Sequence, residues 1–359
     1  MEEEKPTPEN SSSKASSRFT VRRIPGHIFP LLIIFCGAYV SYAYCARYCW
    51  DKLPKRRAIP LISVYCSIVV VTIFSWLLTY SWGPGKVVDE DVEVDPPTYM
   101  CDPQGYRQYC SMCKRIKPDR AHHSVITGTC IPKMDHYCSW LFTVVGERNY
   151  RYFLQTVFYF WILNLYIVVT QVIYAHSPKH ITAHNIAVYA VCGMFLGVLT
   201  VFLGTHCRYI LKDMTTIEHM NLRRGTLPIF NIEVNCQRVV IRLERTDVAS
   251  HGPYSRGRYQ NWLNTMGPNF IYWFTPLPWH PNRLGLNEQL LSDLKERFLT
   301  GKEGYLALLQ TGRWAPEHLE PPQITMSVGH GQSRSQTSFV KNVTAPFLTP
   351  SIGGSIEEE

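Results

Sequence analysis

The 359-residue sequence predicts an α-helical polytopic membrane protein, with four transmembrane helices and one small soluble domain between the second and the third. Three observations carry this. Four apolar runs free of Lys, Arg, Asp and Glu each approach the ~20 residues that cross a bilayer as helix. The polar stretch between the second and third runs is dense in cysteine and histidine. Both ends of the chain are polar and poor in large apolar residues, as unfolded tails are.

In chain order, residues 1–27 form a serine- and glutamate-rich tail expected to be disordered. No cleavable signal is evident, because the first apolar run lacks a small-residue cleavage site and continues as a plausible span. Residues 28–82 contain the first two spans, Ile28 to Cys45 and Ala58 to Tyr80; residues 153–206 contain the other two, Phe153 to Tyr174 and Ile186 to His206. Pro30 and the tyrosines Tyr39, Tyr42 and Tyr44 soften the first run but suit helix ends and interfaces. Buried helices of a soluble core would need polar faces that these runs lack.

Residues 83–152 carry the chemistry. Cys110 and Cys113 form a C-x2-C knuckle, followed by His123 and Cys130, a ligand set that suits one tetrahedral, structural zinc ion. Asp135, His136 and Cys138 then place a carboxylate, an imidazole and a thiol within four residues. A thiol attacks as thiolate, so an imidazole that takes its proton, oriented by a carboxylate, is what thiol acyl transfer needs. Read singly, these residues have plainer roles: an inert buried thiol for Cys138, a turn cap for Asp135.

The run C-x2-C-x3-K-P-x-R-x-H-H, then M-D-H-Y-C-x-W and G-x-x-N-Y-x-x-F, resembles the cysteine-rich domain of the DHHC-type protein S-acyltransferases (palmitoyltransferases), in the DHYC form found among fungal members. The resemblance implies a nucleophile at Cys138, with His136 and Asp135 as its base and orienting carboxylate. Separately from the resemblance, the density of basic residues beside the zinc ligands lets Lys117, Arg120 and His122 face the phosphates of coenzyme A or, equally, anionic lipid, with His122 also able to replace His123 as ligand. The spans would enclose an acyl chain, and burying ~14 methylenes at about 0.8 kcal/mol each would favour long acyl groups.

The departures from the family pattern are concentrated. Members commonly bind two zinc ions; here the second ligand set falls on Ser124, Thr127, Tyr137 and Val144, so a single zinc is expected. Ser139 stands for the usual proline, and Thr143-Val144 for Asn-Cys.

Residues 207–320 hold two further resemblances. Thr215-Thr216-Ile217-Glu218 matches the family's T-T-x-E signature, although Thr-x-x-Glu is also a helix-capping pattern. Asn261 to Gly267, followed by Phe270, Tyr272, Trp273 and Phe274, resembles its C-terminal element and suits an interfacial or re-entrant segment, with Asn261 satisfying backbone groups. Asn287 to about Leu309 reads as one amphipathic helix, and residues 321–359 as a disordered tail.

Lysine and arginine in the first connection (Arg47, Lys52, Lys55, Arg56, Arg57) compete with those of residues 83–152 for the cytosolic side. A free reactive thiol and an acyl-CoA donor decide for the loop, which makes both tails cytosolic and leaves the Asn10 and Asn342 glycosylation patterns unused. Twelve cysteines then read as metal ligands, nucleophile and apolar fillers, not as disulfides. The expected partners are palmitoyl-CoA, membrane-associated proteins with cytosolic cysteines, and the bilayer; the +8 charge suits anionic headgroups, and no nucleic acid is expected. Two other classes share some of these features: a catalytically silent membrane zinc scaffold, and a zinc-finger ubiquitin ligase. The latter needs eight ligands where this loop offers four.

Overall fold

Four helices are long and apolar enough to cross a membrane, and each outruns its uncharged run because flanking residues continue the hydrogen-bond ladder. The computed structural model describes residues 28–93, 96–174, 182–249, 251–283, 285–300 and 305–309; both tails lie outside these. The first span is α1 (Ile28–Ser41) continued by a π-helical segment, Tyr42–Trp50, so Arg47, expected in the connection, is helical. The wider π turn sets Tyr44 and Tyr48 inward, where they bond the Thr170 hydroxyl at 2.8 Å and the Gln171 carbonyl at 3.3 Å.

Pro54, which cannot continue a helix, opens α2 (Lys55–Trp82); the third and fourth spans are α3 (Tyr150–Tyr174) and α4 (Ala183–Lys212). Helix α3 packs between α2 and α4. Hydroxyl pairs such as Thr79 with Thr156, 3.1 Å apart, join the helices where no water competes. Leu31, Phe35, Val70, Val172 and Val201 remain exposed on the outer faces, as side chains solvated by lipid do.

Between α2 and α3 the chain forms a first strand, β1 (Thr98–Met100), and three short hairpins: β2/β3 (Tyr109–Cys110, Arg115–Ile116), β4/β5 (His122–Ser124, Thr129–Ile131) and β6/β7 (His136–Cys138, Thr143–Val145). Strands of two or three residues bury too little to stand alone, so these hairpins depend on cross-links and on neighbours.

Beyond α4 come α5 (Thr216–Arg223), β8 (Ile229–Val234), β9 (Gln237–Arg242), α6 (Arg245–Ala249), α7 (Arg258–Met266), α8 (Phe270–Phe274), α9 (Glu288–Leu299) and β10 (Tyr305–Leu309). The sheet order is β1-β8-β9-β10, all antiparallel. Its core of Phe230, Ile232, Val239, Ile241 and Leu243 is covered by Leu294 of α9. The single amphipathic helix expected from Asn287 to Leu309 is therefore wrong in its second half. Helix α9 ends at Leu299 with Thr300 as its cap, and the apolar residues after Gly304 pair with β9 as an edge strand.

Candidate active site and metal centre

The β2/β3 and β4/β5 hairpins bring the four expected zinc ligands together. Cys110 ends β2 and Cys113 lies in the following turn, which Lys114 closes with a left-handed φ of 52°. The Cys113 amide points at the Cys110 sulfur, 3.4 Å away. His123 and Cys130 face each other across β4/β5. The ligating atoms of all four lie within 4.8 Å of one another. Cys110 Sγ and Cys113 Sγ stand 3.5 and 3.2 Å from His123 Nδ1. Tetrahedral zinc with bonds of about 2.0–2.3 Å needs ligand separations of roughly this size, so the set fits the ion. The positions of the family's second zinc site are occupied differently: Ser124 Oγ accepts from the Thr127 amide at 3.4 Å, and Tyr137 pairs with Val144 across β6/β7.

Asp135, His136 and Cys138 lie on and beside β6. Alternation along a strand turns His136 and Cys138 to the same face. Asp135 is 1% exposed, and His136 Nδ1 donates to its Oδ2 at 2.6 Å. Thr216 adds two donors: its amide to Oδ1 and its hydroxyl to Oδ2, each at 2.8 Å. Burial works against the Asp135 carboxylate, but the His136 hydrogen bond and charge outweigh it and hold its pKa below the ordinary value. Burial likewise opposes a charged His136, but the Asp135 bond and the Cys138 thiol push its pKa up to about 9. Asn149 fixes the hairpin: its side chain donates to the carbonyls of Val144 and Thr79, and accepts from the Gly146 amide.

The T-T-x-E segment is both a capping box and a strut. Thr215 caps α5 by accepting from the Glu218 amide at 3.2 Å, and Glu218 accepts from the Thr215 amide at 2.8 Å. The same Glu218 takes two bonds from Arg120, at 2.7 and 2.9 Å. Arg120 also meets the Asp213 carboxylate and carbonyl, and Lys133 reaches Asp213 at 2.6 Å. Burial opposes both charges, yet Arg120 is held well above its ordinary pKa by Asp213 and Glu218, and Asp213 well below its own by Arg120 and Lys133. The Arg120 guanidinium further lies 4.6 Å from the Tyr254 ring centre, and Tyr254 donates to Asp119.

This corrects the expectation that Arg120 faces coenzyme A phosphates. Its side chain is 6% exposed and its donors are taken by two carboxylates. In sequence an arginine in a basic strip looks free; the two acids that neutralise it lie more than ninety positions away. Lys117 and His122 remain half-buried at the surface of the hairpins.

A cavity of about 640 Å³ opens beside Cys138, with an almost wholly apolar lining drawn from all four spans. Trp140 and Leu141 line it near the thiol, and Phe29 of α1 lies tilted against Trp140 with ring centroids 4.9 Å apart. Roughly 18 Å further along α1, at ~1.5 Å per residue, Ser41 bonds Tyr65 of α2 at 2.7 Å, and both line the cavity.

Two contributors went unread in the sequence. Asn149 was quoted as a motif letter without a role. His206, in the last turns of α4, packs 5.6 Å from the His136 ring; the available signal was an ionisable side chain in an otherwise uncharged apolar run. Asn261 does satisfy backbone, donating to the Leu211 carbonyl near the end of α4 at 3.0 Å.

A family model described as DHHC palmitoyltransferase matches residues 104–223. The chain is similar to Palmitoyltransferase PFA5 of Candida glabrata, 30% identical over an alignment of 295 residues that covers 73% of this chain and 83% of the relative. Palmitoyltransferase PFA5 of Saccharomyces cerevisiae is 30% identical over 298 residues, 70% of this chain and 79% of the relative. The human Palmitoyltransferase ZDHHC15 is 27% identical over 232 residues, 55% of this chain and 68% of the relative.

Proposed function

The chain belongs to the DHHC palmitoyltransferase family, and from that membership we propose that it is a protein S-palmitoyltransferase, moving a long-chain acyl group from acyl-CoA to cysteines of membrane-associated proteins through an acyl-enzyme on Cys138. One observation carries the reading. Cys138 shares a strand face with His136, whose other side is bonded to a buried carboxylate, and borders an apolar cavity long enough for a fatty chain.

The chemistry has two halves. His136 takes the Cys138 proton, and the sulfur attacks the thioester carbon of acyl-CoA. The carbon–sulfur bond to coenzyme A breaks, and the departing thiolate takes the proton back from His136. In the second half His136 deprotonates a substrate cysteine, which attacks the acyl-enzyme; Cys138 leaves as thiolate and is reprotonated. Asp135, fixed by Thr216, keeps His136 in one tautomer through both. Zinc held by Cys110, Cys113, His123 and Cys130 would supply no chemistry in these steps; it would steady the hairpins beside β6. Lys117 and His122 stay the candidate contacts for coenzyme A phosphates, and the site faces the cytosol, where acyl-CoA and reduced thiols are found.

The test is labelling of purified protein with palmitoyl-CoA, beside Cys138→Ser. A hydroxylamine-sensitive adduct lost in the variant is the expected result. Label that persists without Cys138 would overturn the nucleophile, and no label on zinc-loaded native protein would leave a silent zinc scaffold as the better account.

A further inference from the structure

The Asp135–His136 pair has a third polar neighbour that none of the motifs names. His206 is 3% exposed, and its ligating atom lies within 4.8 Å of those of Asp135 and His136. Its Nδ1 is bonded to the Tyr150 hydroxyl at 2.9 Å. Its ring stands 5.6 Å from that of His136, 4.5 Å from Phe202 and 5.2 Å from Phe153. Phe153 in turn lies edge-on to His136 at 5.2 Å.

We propose that His206, anchored by Tyr150, is a positioning residue that fixes the His136 imidazole between Asp135 and Cys138; this rests on the acyl-transfer reading above. A single hydrogen bond at Nδ1 leaves an imidazole able to pivot about that bond, and the pivot swings Nε2 away from the thiol. Two rings that pack against it, and against each other, restrict that freedom. Phe153 is one, held by packing; His206 is the other, held by packing and by a directional bond. Phenylalanine at 206 would supply a wall without an anchor, and would leave the Tyr150 hydroxyl without this partner at a buried site. Lysine or arginine there would set a second positive charge against the imidazolium. Neutral histidine meets all three demands: flat, anchored and uncharged.

Single-turnover loading of full-length protein from palmitoyl-CoA tests this, read as the rate at saturation and the half-saturating concentration. Tyr150→Phe and His206→Phe should lower the saturating rate roughly 10- to 100-fold, the scale of an ångström-sized misplacement. The half-saturating concentration and zinc content should stay within about twofold. His206→Asn, whose amide can still meet Tyr150, should recover a large part of the lost rate. Unchanged rates in the first two variants, or a loss that falls on the half-saturating concentration instead, would overturn the inference while leaving the acyl-transfer reading intact. Where His206→Phe fails to fold, Tyr150→Phe, which removes one oxygen and keeps the ring, decides alone. Failure of the native protein to load would sink the reading and this inference together.

Discussion

Thr216 meets Asp135 with two donors, its amide and its hydroxyl each 2.8 Å from a different carboxylate oxygen. The amide belongs to the first turn of α5, so the positive end of that helix also faces the carboxylate. Asp135 is thereby satisfied on both oxygens before His136 adds its bond, and it stays an anion although buried.

Thr216→Val keeps the amide and removes the hydroxyl. A hydrogen bond to a charged group is worth about 1.5–3 kcal/mol, so loading of Cys138 should slow by roughly 10- to 100-fold. Thr216→Ser should keep most of the rate. Equal rates for the valine and serine variants would refute the role of the hydroxyl.

Only neutral His136 can take the Cys138 proton, so its raised pKa, about 9, places the rising limb of loading there, and the rate should climb as pH rises towards about 9. Stability runs the opposite way. The contribution of the charged pair is fully present below the unfolded histidine value of ~6.5 and vanishes as pH climbs through the folded one. Asp135→Asn removes the anion and should draw the limb down towards ~6.5; a pH–rate profile of both proteins checks this.

Arg120 and Lys117 separate a structural cation from a candidate binding one. Arg120→Ala takes one of its two cations from buried Asp213 and the guanidinium from Glu218, an effect of about 3 kcal/mol, visible as a lower thermal midpoint. Lys117→Ala should change stability by less than about 0.5 kcal/mol, and should instead raise the half-saturating acyl-CoA concentration. Matching effects of the two on stability would show that the distinction is wrong.

Ser41 and Tyr65 set the depth of the cavity. Ser41→Phe fills that end of the cavity, and excluding two methylenes at about 0.8 kcal/mol each should shift preference towards shorter acyl-CoA by roughly 15-fold. Competition between donors of fourteen and sixteen carbons reads this directly. An unchanged ratio would place the end of the chain elsewhere.

The spans, the zinc ligands and the Asp-His-x-Cys run were legible in the sequence, because each is a local signal: twenty apolar residues, or a ligand spacing within one loop. The four-stranded sheet was not. Its strands β1 and β8 lie on either side of two spans, and no short window reveals that Tyr99 pairs with Asn231. Arg120 failed for the same reason, since its partners arrive from beyond the fourth span. His206 was hidden by the apolar run around it, and Tyr305–Leu309 was misread as helix because so short an apolar run serves helix and strand alike.

The bond between Asp135 and Thr216 joins residues 81 positions apart, with the third and fourth spans between them. At a synthesis rate of roughly 5–20 residues per second, the reactive hairpin leaves the ribosome about 4–16 s before the helix that steadies its carboxylate. For that interval Asp135 lacks both of the Thr216 donors that satisfy it in the folded chain. On the acyl-transfer reading, a chain whose last span is not yet inserted would lack both Thr216 donors to Asp135 and would load Cys138 more slowly than the finished protein.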